Sequence, residues 1–185
     1  MKRLASLLLL AASALLLSAC GFHLKGLGGQ VRPLPFSSVY LETGNAQIAG
    51  ALHDELARNP QLTIAGSPQQ AEAVVAVVDE GQSKDVGTIN SGGKVNEYQL
   101  TYRAVVRVTM GGAELGPDLQ VVVRRNMNYS DSDVLGKEQE EASLWADARR
   151  DAAEQIARRL SYLKRPAGMS PSGPQSLKPN AATQP

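Results

Sequence analysis

Few side chains in this sequence have the type and spacing that chemistry requires. Cys20 is the only cysteine, and His23 and His53 are the only histidines. A lone thiol is a nucleophile without a disulfide partner in its own chain. His53-Asp54-Glu55 sets ligand and acid/base types side by side. Adjacent helical residues point in different directions, however, and no second ligand stands one turn away, so neither a metal site nor a proton relay is expected. Glu140-Glu141 falls in a solvated helical stretch, where carboxylates do no acid/base work. No G-x-S-x-G or H-E-x-x-H spacing occurs. The expectation is a protein that is not an enzyme and uses no metal or cofactor. Recognition chemistry is what remains. The guanidinium groups of Arg103, Arg107 and Arg124 suit phosphates or carboxylates through paired hydrogen bonds, and Lys94 and Lys137 are isolated cations.

The thiol gains meaning from what precedes it. Met1-Lys2-Arg3 is basic, and Leu4 to Leu17 is an apolar run too short to span a bilayer, which reads as a secretory signal peptide over residues 1–19. Leu17-Ser18-Ala19-Cys20 resembles the bacterial lipobox, in which the cysteine receives a diacylglycerol, the leader is cut and the new amino terminus is acylated. Each buried CH₂ contributes about 0.8 kcal/mol, so two or three acyl chains hold a protein firmly in its leaflet. Cys20 is thus the expected lipidation site and membrane anchor. Gly21 follows it where an Asp would favour inner-membrane retention, which points to the outer membrane.

Cleavage removes Lys2 and Arg3 from 19 basic residues, leaving 17 against 18 acidic ones and a net charge of minus one. A near-neutral chain is no electrostatic nucleic-acid binder. With aromatic residues at 4%, a stacking surface for single strands or sugars is not expected either. The 166 residues left after a 19-residue leader suffice for one domain.

Residues 20–35 are rich in glycine and proline and read as a lipidated tether, 36–164 as the folded domain, and 165–185 as a disordered tail of Pro, Ser, Ala and Gln. Within the domain, Phe36 to Glu42 suits a short strand, and Asn45 can cap a helix whose stripe is Ile48, Ala51, Leu52 and Leu56. Ala71 to Asp79 is nearly continuous in apolar character, as in a central strand covered on both faces. From Val95 to Met110, Tyr98, Leu100, Tyr102, Ala104, Val106, Val108 and Met110 alternate with Gln99, Thr101, Arg103, Val105, Arg107 and Thr109. A period of two means a long strand with one apolar and one wet face. Gly87 to Lys94 supplies the turn into it, and Leu119 to Tyr129 continues the alternation in a fourth strand.

Ser130-Asp131-Ser132-Asp133 offers N-caps for a last helix reaching about Leu163, with Trp145, Ala148, Ala152, Ile156 and Leu160 on one side. The order βαβββα predicts an α/β (α+β) two-layer sandwich, two helices on one face of a four-stranded sheet. Arg103, Arg107 and Arg124 then share the wet face with Gln120, Asn126 and Asn128, a positive, hydrogen-bonding surface. Lys137 could pair with Glu141. Whether Lys94 and Lys137 lie at one end of the sheet depends on strand lengths.

Four stretches carry a family resemblance: Cys20-Gly21-Phe22-His23-Leu24-Lys25-Gly26, Asn96-Glu97-Tyr98-Gln99-Leu100, Arg125 to Tyr129, and Asp147 to Leu160. With the element order, they resemble the LptE (RlpB) family of lipopolysaccharide-assembly lipoproteins. The resemblance implies an outer-membrane lipoprotein without catalysis. It would sit as a plug in the β-barrel LptD, assist that barrel's assembly and bind lipopolysaccharide for insertion at the cell surface. Lys137 falls at a basic position of the family's last helix; with Lys94, Arg103, Arg107 and Arg124 it is a candidate for contact with lipid A phosphates. The alternative is a scaffold lipoprotein that binds peptidoglycan or another envelope protein. It would favour an aromatic or carboxylate-rich groove, and the sequence shows little of either.

Overall fold

The computed structural model describes residues 33–130 and 134–165; the expected leader, Cys20, most of the tether, Asp131 to Asp133 and the tail beyond Arg165 lie outside them. Six strands form one sheet in the path β2-β1-β3-β4-β5, with β6 also paired to β4. They are β1 (Ser38–Glu42), β2 (Thr63–Ile64), β3 (Ala73–Ile89), β4 (Val95–Met110), β5 (Ala113–Glu114) and β6 (Leu119–Asn128), with helices α1 (Ala49–Ala57) and α2 (Val134–Leu160). The two-layer α+β architecture is the expected one. The strand count is six, not four, because β2 and β5 are two-residue strands that a period-two search cannot detect.

β1 and β3 run parallel, joined through α1, while β3, β4 and β6 are antiparallel. The even residues of β4 from Leu100 to Met110 are buried, as their alternation requires. From Tyr102 to Met110 they share one core with Ile48, Leu52 and Leu56 on the α1 side, and with Ala148, Ala152, Ala153, Ile156 and Leu160 of α2. Three alanines on the buried stripe let α2 approach the sheet closely, at the packing density of a core.

β3 departs from its expected form in two ways. It runs 17 residues to Ile89, so the turn is confined to Asn90 to Lys94 and not to Gly87 onward. It is also covered on one face only: Val74 and Ala76 are half-buried and Val78 is 44% exposed, because both helices lie on the other side. An irregularity between Val77 and Asp79 then reverses the alternation. Val77 pairs with the buried Val106, but Asp79 pairs with Val105 and Glu80 with the buried Ala104. One extra residue in a strand moves every later side chain to the opposite face. Glu80, Gln82 and Lys84 are thereby turned toward the helices.

That reversal settles how α1 begins. No side chain of its own caps the helix, and Asn45 does not serve. The Gln47 and Ile48 backbone N–H groups instead donate to the Glu80 carboxylate at 2.7 and 3.0 Å. The buried Tyr102 hydroxyl donates to the same carboxylate. A carboxylate at the first turn satisfies orphan donors and complements the helix dipole. The fold's contacts also reach past residues 36–164. Leu34 packs on the core, and Arg165 donates to the Pro35 carbonyl at 3.0 Å and to Glu72 at 3.2 Å. Arg165 is thus a clasp within the fold and not the first residue of a tail.

Candidate functional surface

The sheet face away from the helices carries the sequence-predicted arginines. In register across β3, β4 and β6, it presents Gly81, Arg103 and Val122; then Ser83, Thr101 and Arg124; then Asp85, Gln99 and Asn126. The alternation of β4 and β6 therefore placed Arg103, Arg107, Arg124, Gln120, Asn126 and Asn128 together correctly. The expected positive surface is nonetheless corrected, because two of its three cations are neutralised. Arg103 pairs with Asp79, which the β3 irregularity brings to this face. Arg107 grips Asp118 with two bonds, Nε to Oδ1 at 2.9 Å and Nη2 to Oδ2 at 2.8 Å, with Glu114 at 3.5 Å. The hydrogen bond from Arg107 holds the Asp118 carboxyl below its ordinary range, and the same bond raises the Arg107 guanidinium. Among the described residues, the Arg124 guanidinium has no hydrogen-bond or ion-pair partner. Beyond Val78 the face is lined mainly by amides and hydroxyls, with Val105 and Val122 among them, and Arg124 is its cation without a carboxylate partner among the described residues.

Lys94 and Lys137 lie at one end of the sheet, the question that strand lengths had left open. β6 returns alongside β4 so that Asn128 pairs with Glu97, and α2 begins only six residues later. Lys94 closes the β3–β4 hairpin, where the Asn90 side-chain oxygen accepts the Gly92 and Lys94 backbone N–H groups at 2.9 and 3.0 Å. Gly93 takes φ 78° there, a conformation glycine adopts without strain. Lys137 pairs with Glu140 at 2.6 Å and not with Glu141. Glu141 belongs to Lys84, at 2.6 Å, and accepts the Trp145 indole N–H at 3.2 Å. The bond from Lys84 holds the Glu141 carboxyl below its ordinary range.

Lys84 also lies 4.5 Å from the centroid of the Tyr98 ring, which meets Tyr129 edge to face at 5.2 Å. This Lys84, Tyr98, Tyr129, Glu141 and Trp145 cluster was missed in the sequence. Its signal was the alternation of Glu80, Gln82, Lys84 and Val86, hidden by the break at Val78. His53 is exposed, 3.4 Å from Asp54. Among the described residues no group of three or more His, Cys, Asp or Glu could hold a metal, and no helix is long and apolar enough to cross a membrane.

A family model described as "LptE: Lipopolysaccharide-assembly" matches residues 36–160. The chain is 26% identical over 155 residues to an LPS-assembly lipoprotein LptE of Pectobacterium atrosepticum, covering 83% of each. It is 26% identical over 153 residues to that of Photorhabdus laumondii, again covering 83% of each. Among solved structures, a lipoprotein B of Nitrosomonas europaea superposes with a TM-score of 0.64 at 29% identity, covering 76% of this chain and 90% of that one. A rare lipoprotein B of Shewanella oneidensis shares the fold at TM-score 0.59 and 19% identity, over 68% of this chain and 94% of that one.

Proposed function

Because the chain belongs to the LptE family of lipopolysaccharide-assembly lipoproteins, we propose that it works as a non-enzymatic plug for the outer-membrane β-barrel LptD, anchored through acylated Cys20. The observation that supports the plug most is the open sheet face. Among the described residues no helix covers it, and beyond the apolar end formed by Val74, Ala76 and Val78 it is mostly polar with paired charges, a composition suited to the wet wall of a barrel lumen.

In this reading the end of the sheet that carries Lys94 and Lys137 meets lipid A phosphates. Lys137, half-buried, is held by the more exposed Glu140, a carboxylate that a phosphate would replace. Arg124 is the arginine of the open face available to an anion, whereas Arg103 and Arg107 must first give up their carboxylates. Contact with lipopolysaccharide is electrostatic and steric, and no bond is made or broken. Affinity purification of the full-length lipoprotein from outer membranes in mild detergent tests the reading. One large barrel recovered in about equal amount is the expected result. Recovery of the lipoprotein alone, or with peptidoglycan fragments, would overturn it in favour of a scaffold.

A further inference from the structure

Two long stretches of strand edge are left unpaired among the described residues, the outer half of β3 and β6, and they are built differently. The outer half of β3 is irregular between Val77 and Asp79, Val86 and Thr88, and Thr88 and Ile89. Gln47 also sits against its edge, bound to Glu80 and Gln82. Irregularities and covering loops are how proteins blunt an edge. β6 has neither. Its ten residues pair with β4 without a register shift, contain no proline and carry few charges.

Its polarity follows from one bond. Tyr129 donates to the Asn96 carbonyl at 2.9 Å, so the odd residues of β6 bond inward to β4. The even residues, Gln120, Val122, Arg124, Asn126 and Asn128, direct both N–H and C=O to the free edge. Among the described residues, none of those N–H groups has an acceptor. Two of the carbonyls are occupied by exchangeable side chains: Arg159 donates to the Gln120 carbonyl, and Arg125 to the Arg124 carbonyl at 3.0 Å.

We infer that the free edge of β6 is a strand-pairing site for an extended, acid-bearing segment of the barrel partner, with Arg159 and Arg125 as its removable guards. The inference rests on the plug reading above. Charge selects the occupant. Arg124 stands mid-strand without a counter-ion, and a strand added at this edge puts one side chain directly opposite it on the open face, where a carboxylate completes the pair. A second copy is disfavoured, since full-length antiparallel self-pairing sets Arg124 against Arg124.

Amide-resolved hydrogen exchange on the lipoprotein alone and in its purified complex with the barrel tests this. The expected result is protection of Val122, Arg124, Asn126 and Asn128 in the complex only, with Val121, Val123 and Met127 protected in both. Two variants support it. Val122→Pro deletes an outward donor that β4 does not use, a place where an edge strand tolerates proline, and should weaken the complex about fivefold, the factor for one net hydrogen bond. Arg124→Glu leaves the backbone alone and should weaken it at least as much, while Arg159→Ala, which frees a carbonyl, should strengthen it. A stable complex whose outward β6 amides exchange as in the free protein, or that is indifferent to Arg124→Glu, overturns the strand-pairing site and leaves the plug standing. Protection that rises with the lipoprotein's own concentration assigns the edge to a second copy and overturns it too. Failure of any complex to form overturns both readings.

Discussion

Removing Glu80 should cost more than any substitution on the open face, and the structure says by how much. Its carboxylate accepts the Gln47 and Ile48 N–H groups at the start of α1 and the hydroxyl of Tyr102, whose side chain is 0% exposed. Burial first, and then the bond to Glu80, push that hydroxyl well above the ordinary tyrosine range, so it stays protonated and must donate. Hydrogen bonds to a charged group contribute about 1.5–3 kcal/mol, less where solvent competes, and a buried hydroxyl left without an acceptor costs about 1–3 kcal/mol. Glu80→Ala should therefore destabilise by about 4 kcal/mol, and Glu80→Gln, which keeps one oxygen for Ile48 and Tyr102 but sets an NH2 group against the Gln47 N–H, by about 2 kcal/mol. Tyr102→Phe should cost about 1 kcal/mol, since the carboxylate retains its two backbone donors. The decisive quantity is the coupling. In the double variant the orphaned hydroxyl is gone, so its cost should fall short of the sum of the singles by about 1–2 kcal/mol. Urea unfolding followed by the fluorescence of Trp145, the single tryptophan, measures all four. Costs that add to within about 0.5 kcal/mol would refute the hub.

Acid should weaken the fold through Asp151 and Glu141. Their carboxyls are held below the ordinary range, first by bonds from Arg125 and Lys84 respectively. A depressed folded value means the stabilisation is complete above the unfolded value near about 4 and is lost as pH falls through the folded one. The melting temperature should drop between about pH 5 and pH 3, and Asp151→Asn with Glu141→Gln should flatten that limb. Arg165→Ala should lower the urea midpoint by an amount equivalent to about 1–2 kcal/mol, because Glu72 is 11% exposed and loses a cation, whereas truncation after Arg165 should leave it unchanged. Lys94→Asp with Lys137→Asp should weaken lipopolysaccharide binding in an equilibrium assay while the unfolding midpoint holds; unchanged binding would remove both from the contact.

Much of this fold was legible because its longest elements keep a clean period. β4 alternates without a fault from Leu100 to Met110, and the buried stripes of α1 and α2 fall at helical spacing, so the two layers and the membership of the open face follow from pattern alone. Val78 is where pattern stops. One extra residue in β3 inverts the facing of everything after it, and no periodicity computed across that point shows that Glu80 caps α1 or that Lys84 reaches Glu141. Charge pairing was hidden for a related reason. Arg107 meets Asp118 across a turn that contains a two-residue strand, and Arg103 meets Asp79 only because of the same irregularity. Glu140, not Glu141, took Lys137 because Lys84 had already claimed the latter, a tertiary choice that helix spacing cannot foresee.

The role proposed for this lipoprotein is in lipopolysaccharide assembly at the outer membrane. Its most direct test is to deplete the protein from cells that make it and follow pulse-labelled lipopolysaccharide to the outer leaflet. Labelled molecules should continue to be made but cease to arrive at the surface, and arrival should return with the intact protein and not with Cys20→Ala. Undiminished arrival after complete depletion would contradict it.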